Sequence, residues 1–236
     1  MSDAVMLERR GPVLVAHLDD GKANALSASM ITSIDSAITE AENDDEIRAL
    51  VIHGRPGRFS AGFDLSVMGG DDFAAIIRLV ADGGALVHRL YGSSVPVVAA
   101  CTGHALAAGA LILLGCDVRV GADVDAKIGL NEVAIRMVLP DWAFTIGVDR
   151  LSRRHLQRAI ANARITTPAE AVDVGFLDEV APAEQVLDRT VEVATEMATT
   201  LDPAAYAKTV EKLRGDVLTT MGDQVASDRA SADTVG

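Results

Sequence analysis

Apolar residues recur along this chain in two rhythms, and each rhythm predicts a different element. Nearly unbroken apolar runs at Val13 to Leu18 and Ala49 to His53 predict strands. Between them, Met30, Ile31, Ile34, Ala37, Ile38 and Ala41 repeat at helical spacing, so Ser27 to Ala41 reads as a helix with Ser27 as its cap. A further strand is expected at Val95 to Cys101, meeting a helix that begins near Ala107, and short strands follow around Val118 to Val120 and Ala126 to Ile128. The order is a β-β-α repetition of a mixed α/β protein, without the glycine fingerprint of a dinucleotide-binding unit.

Beyond residue 160 the pattern turns helical. Thr167-Pro168-Ala169-Glu170 combines a cap, a proline in the first turn and an acid three residues after the cap, and Gly175 is a natural stop. Pro182 to Thr199 and Pro203 to about Val225 read as further helices, and Ser227 to Gly236 as a frayed tail. Val95 to Cys116 holds no charged residue when His104 is neutral and is long enough to span a bilayer. Pro96, Thr102, Gly103, His104 and Gly109 divide it into a strand, a turn and a helix, so it is read as buried core.

Composition narrows the class. The 236 residues are ample for a large core, and 49% hydrophobic content with a mean hydropathy of +0.25 suggests apolar surface shared between subunits. A net charge of −13 argues against nucleic-acid or anionic-membrane binding. Cys101 and Cys116 lie in apolar runs and make no disulfide framework. The N-terminal Met1-Ser2-Asp3-Ala4 lacks a basic region followed by an apolar stretch, which gives a cytoplasmic expectation. The five histidines show no metal-ligand spacing, and Ser60 lacks a nucleophile elbow.

Three segments carry the candidate chemistry. Phe59-Ser60-Ala61-Gly62-Phe63-Asp64-Leu65 and Gly103-His104-Ala105-Leu106-Ala107-Ala108-Gly109 are small-residue turns at the ends of apolar runs, where a backbone N–H can point at a ligand unobstructed. In Ile128-Gly129-Leu130-Asn131-Glu132-Val133 a lone acid stands among Ile128, Leu130, Val133, Ile135 and Met137, a setting that raises a carboxyl pKa and suits proton transfer near neutrality. Two amides and one carboxylate make a site for enolate chemistry.

In this order, and with Gly21-Lys22-Ala23-Asn24-Ala25-Leu26 before them, these segments resemble the crotonase (enoyl-CoA hydratase/isomerase) family over roughly the first three quarters of the chain. The resemblance implies a crotonase-like spiral of β-β-α units over residues 1–198 and a helical C-terminal trimerisation segment over 199–236. It also implies an assembly of three or six copies. Matched loop by loop, it sets oxyanion donors at the amides of Phe63 and Ala108 and a catalytic carboxylate at Glu132. It sets contacts for an acyl-CoA substrate at Lys22, Ala23, Ala61 and Leu65. No metal or separate cofactor is implied, because coenzyme A is part of the substrate.

The chain departs from the family pattern at Leu111, where hydratases have the first of two glutamates, and at Ala107-Ala108, where glycines are common. Asp141 is open between a second acid, as in the dienoyl-CoA isomerase branch, and a cap for a helix Trp142 to Leu151. Arg136 is open between narrowing the acyl pocket, pairing with an acid, and plain solvation. The resulting expectation is a single-glutamate isomerase converting 3-enoyl-CoA to 2-enoyl-CoA. Its alternatives are a 2-enoyl-CoA hydratase of fatty-acid β-oxidation and a non-catalytic CoA-binding subunit. Along the C-terminal helix, Val210, Leu213, Val217 and Leu218 form an apolar stripe, with Lys208, Lys212 and Arg214 as candidate partners for a CoA phosphate.

Overall fold

From the third strand onward, consecutive strands go alternately to two sheets, and that alternation builds the site. The computed structural model describes residues 4–235. Most of the N-terminal tetrapeptide read above, Met1 to Asp3, lies outside the described residues, as does Gly236 of the tail. Strands β1 (Val5–Arg10), β2 (Val13–Leu18), β3 (Ala49–His53), β5 (Val97–Cys101), β7 (Val118–Ala122) and β9 (Glu179–Ala181) form one sheet in the order β1-β2-β3-β5-β7-β9. Strands β4 (Gly57–Ser60), β6 (Gly103–Leu106) and β8 (Ile128–Gly129) form a second, parallel sheet. β1 and β2 both join the large sheet, and from β3 to β8 each successive pair gives its first strand to the large sheet and its second to the small one, the alternation of a spiral.

The large sheet is parallel from β2 onward and covered on both faces, which is why its strands read as unbroken apolar runs. One face, with Leu14, Leu50, Ile52, Val97 and Ala99, packs into the main core. There it meets helices α1 (Ala28–Asn43), α3 (Phe73–Tyr91) and α4 (Ala108–Gly115). Val13, Val15, Val51, Val98 and Val120 face the other way, against Val186, Ala194 and Ala198 of α7 (Val186–Thr200). Ser27 caps α1 through the Met30 N–H at 3.2 Å, and the Thr167–Glu170 capping box starts α6 (Pro168–Val174), which Gly175 ends in a left-handed conformation. The expected helix from Pro182 begins instead with a short 3-10 turn, Ala183–Gln185, before α7.

The final helix, α8, corrects the sequence reading in two places. It runs Pro203–Val235, so the described part of the expected frayed tail is helical, and Ala232 is fully buried. Tertiary packing against α3 and α5 (Asp141–Arg150) supports these polar residues where local composition does not. Arg214, expected to face a phosphate, is buried instead: it pairs with Asp117 at 2.6 Å, donates to the Tyr91 carbonyl at 2.8 Å, and lies over the Tyr91 ring. Of the apolar stripe, Val210 is buried, whereas Leu213 is exposed.

Candidate active site

The first loop leaves β4 at Ser60, whose buried hydroxyl donates to the Asn24 carbonyl at 2.7 Å. From there the main chain on either side of Phe63 is tied down. Ala61 N–H donates to the Ala23 carbonyl, the Gly62 carbonyl accepts from Leu26, and Asp64 N–H donates to the Leu26 carbonyl. Phe63 N–H, by contrast, has no acceptor among the described residues. Gly62 is required here on two counts: its φ is +94°, and a Cβ would stand 3.1 Å from the Ala107 Cβ and the Leu106 carbonyl.

The second loop is pressed onto the first. Gly109 has no room for a side chain, since a Cβ would meet Ser60 C and Cβ at 2.9 Å and its carbonyl oxygen closer still. Ala107 turns the chain with φ 50° and ψ −124°, a conformation that strains a residue bearing a Cβ. This turn makes Ala108 the first residue of α4, with its N–H beyond the reach of any intrahelical acceptor and in the field of the helix's positive end. The Ala107 carbonyl takes the Ala110 and Leu111 N–H groups, and no acceptor for Ala108 N–H occurs among the described residues. A Cβ at Gly62 would stand 3.5 Å from Ala108 N, which fixes how closely the loops meet.

Glu132 reaches the same place from β8. Ala107 N–H donates to the Gly129 carbonyl at 3.0 Å, tying the second loop to the strand that ends three residues before the acid. Glu132 is buried, and its Oε2 has no hydrogen-bond partner. Burial raises its carboxyl above the ordinary carboxylate value, opposed only by its own backbone N–H. The neighbouring Asn131 Oδ1 is also buried without a partner, a polar group that the sequence reading passed over. The signal available in the sequence was an amide side chain next to the lone acid in the same apolar run.

These parts border a cavity of about 370 Å³. Ala61, Phe63 and Leu65 of the first loop line it together with Ala107, Leu111, Asn131 and Glu132. Met68, Val80, Ile135, Met137, Val138 and Pro140 complete an otherwise apolar wall. Leu65 and Val138 are 80% and 89% exposed, so the rim carries apolar side chains into solvent. Leu111 is buried in the wall and brings no carboxylate.

Other candidates fall elsewhere. Asp141 corrects the second-acid expectation: it is the exposed first residue of α5, outside the cavity lining. There it makes no side-chain cap, and its charge adds to the raising of the Asp228 carboxyl on α8, which is due first to burial. The backbone before proline explains this, because Pro140 holds the extended conformation at the helix start and Asp141 turns outward. Arg136 is exposed, left-handed in conformation, and narrows nothing. His104 accepts the Lys127 N–H at 2.9 Å and staples two strands rather than facing the acid. Lys22 is exposed, with no ion pair among the described residues, while Ala23 and Ala61 are joined by the hydrogen bond between them. Both cysteines are buried and free, their thiols pushed up to about 12 by burial. Among the described residues no helix is long and apolar enough to cross a membrane.

Comparison with known proteins agrees with this geometry. The mouse mitochondrial enoyl-CoA delta isomerase 1 is 36% identical over 195 residues, which are 81% of this chain and 68% of that protein. The short-chain-enoyl-CoA hydratase of Clostridium acetobutylicum is 30% identical over 196 residues, 82% of this chain and 74% of that one. The apo structure of an enoyl-CoA isomerase from Mycobacterium tuberculosis superposes with a TM-score of 0.91 at 39% identity, covering 98% of this chain and 99% of that one. A family model described as enoyl-CoA hydratase/isomerase matches residues 8–232. With two unpaired amides, a buried acid and this span of likeness, the chain belongs to the enoyl-CoA hydratase/isomerase family of enzymes.

Proposed function

We propose that this enzyme moves a carbon–carbon double bond from the 3- to the 2-position of an acyl-CoA thioester, with Glu132 as the sole proton carrier. One observation carries the reading: among the described residues Glu132 is the single titratable side chain lining the cavity, and Leu111 fills the position where the family pattern gives hydratases another glutamate. The Glu132 carboxylate removes a proton from C2, and the electron pair passes into the thioester as a conjugated enolate. The Phe63 and Ala108 N–H groups hold the enolate oxygen, each such donor typically worth about 2.7–4 kcal/mol of barrier. Glu132 then returns the proton at C4, the double bond settles between C2 and C3, and the carboxylate is regenerated. Nothing else is consumed, and with two amides as the electrophile the step calls on no metal or cofactor beyond the coenzyme A of its substrate.

The names of the mouse and mycobacterial relatives support isomerisation, and that of the clostridial relative supports hydration. Leu111 favours the first, because leucine can neither orient a water nor transfer a proton. For coenzyme A we assign Lys22, Ala23, Ala61 and Leu65: Ala61 and Leu65 stand at the cavity mouth, and Lys22 is an unpaired cation next to them in the hydrogen-bonded loop. The two buried free thiols fit a reducing compartment, and we assign the cytoplasm, which fractionation tests.

Purified protein offered 3-enoyl-CoA and 2-enoyl-CoA side by side tests the reading. Conjugation of the first without hydration of the second is expected, and dominant hydration would reverse the assignment. Leu111→Glu should raise hydration relative to isomerisation, and a folded variant with an unchanged product ratio would remove Leu111 from the explanation. We also propose a homotrimer or hexamer, supported by the exposed apolar Leu213 of α8 and Phe73 of α3. Light scattering at micromolar concentration should give one of those masses, and a fully active monomer would refute the assembly.

A further inference from the structure

The middle of α3 contains adjacent glycines, Gly83 and Gly84, in a position where glycine weakens a helix. Both are buried, and both are occupied from outside by an aromatic ring. A Cβ at Gly83 would stand 2.5 Å from Cζ of Phe63, with Cε1 closer still. A Cβ at Gly84 would stand 2.8 Å from Cε2 and Nε1 of Trp142. The two rings therefore rest on the main chain of α3, one beside the other. Phe63 belongs to the first loop of the site, and Trp142 is the fully buried second residue of α5, just past the wall residue Pro140.

We propose that Gly83 is a positioning residue for the oxyanion donor: the missing side chain lets the Phe63 ring lie flush on α3, and the seated ring fixes the direction of the Phe63 N–H. This rests on the reading of that N–H as a donor. The remaining constraints on the loop act on its neighbours, through Leu26 with the Gly62 carbonyl and with the Asp64 N–H. None of those bonds holds Phe63 itself. Its ring is the handle, and Gly83 is the seat. A methyl group at residue 83 would drive the ring towards the cavity it lines or rotate the peptide that carries the N–H, and either shift degrades enolate stabilisation.

The experiment measures two quantities on the parent, Gly83→Ala, Phe63→Leu and the double variant. The first is kcat and KM for conjugation of a 3-enoyl-CoA. The second is the infrared carbonyl band of bound octanoyl-CoA carrying a ¹³C thioester carbonyl, which reports the hydrogen bonds at that oxygen without any turnover. Gly83→Ala should lower kcat by about 10²-fold, the scale of a misplaced catalytic group, and move the carbonyl band towards its solution frequency. Leucine lacks the Cε1 and Cζ atoms that meet the new methyl. In the Phe63→Leu background, whatever that change costs by itself, Gly83→Ala should therefore alter kcat by less than about twofold, the scatter of uncoupled sites.

A Gly83→Ala enzyme with turnover within about twofold of the parent and an unmoved band overturns the proposal. Equal losses in the two backgrounds do so as well, because they mark the glycine as helix packing alone. If Gly83→Ala does not fold, the double variant decides: a folded chain with the carbonyl band of Phe63→Leu supports the seat, and failure to fold in both backgrounds refutes it. A parent protein that leaves the octanoyl-CoA carbonyl at its solution frequency overturns the donor reading itself, and the glycine's role with it.

Discussion

The two glycine-bearing loops and the Glu132 segment meet at one cavity but are built in opposite ways. The loops are locked: Gly103 and Gly109 lie against backbone with no room for a Cβ, Gly62 holds a positive φ in a tight contact, and Ala61, Gly62 and Asp64 are each hydrogen-bonded. The acid is buried yet nearly unbonded, with one carboxylate oxygen lacking any partner, and the residues after it, Val133 to Val138, are exposed. The difference follows from the two tasks. A donor that stabilises developing charge must already point at it, since reorientation during the reaction would cost the energy it supplies. A base that takes a proton at one carbon and returns it at another needs a carboxylate left free of competing donors.

Breaking the acid should have the largest effect. Glu132→Gln preserves shape and removes the proton acceptor, so turnover should fall by about 10²–10⁴-fold while binding of octanoyl-CoA persists, and activity within threefold of the parent, against that expected loss, would sink the assignment. In the proposed mechanism the active form is the carboxylate. Because burial raises its pKa, activity should decline on acidification at a pH above the ordinary carboxylate value, as a pH profile of kcat would record. Breaking the lock comes next. Gly109→Ala places a methyl group against the Ser60 main chain and should destabilise the fold by about 3 kcal/mol, the upper range for overpacking, read from urea unfolding.

A gentler change sharpens the comparison. Ala107→Gly relieves a positive φ whose strain is worth about 1–3 kcal/mol, against a glycine entropy cost of about 0.5–1 kcal/mol. A net stabilisation of about 1 kcal/mol is expected from the same unfolding curves, and a loss of that size would show that the turn is not strained.

The loops were legible in the sequence because their constraint is local. Small residues in a turn after an apolar run announce a main chain that something approaches closely, and the Thr167 to Gly175 signals gave α6 nearly residue for residue. Helix α3 was not read at all, since Gly83 and Gly84 interrupt its pattern for a reason found only in Phe63 and Trp142, which are distant in sequence. The last turns of α8 were missed for a related reason: their helicity comes from packing on α3 and α5, and composition alone suggested fraying. For Asp141 the residue type was informative about a helix start, but its direction depended on the proline before it. Spacing placed Glu132 in an apolar run, whereas its unpaired oxygen is a property of the packed chain.

The hydrogen bond from Ala107 N–H to the Gly129 carbonyl also bears on the order of events during synthesis. The donor loops belong to β4 and β6, but the acid arrives only with β8, the last strand of the small sheet. A nascent chain emerging N-terminus first can pair β4 with β6 while Glu132 is still within the ribosome. For that interval the cavity lacks Asn131 and Glu132, and α4 lacks its packing against α5. The charge-free stretch from Val95 to Cys116 then needs protection from aggregation until β8 pairs with β6 and α5 packs on α4.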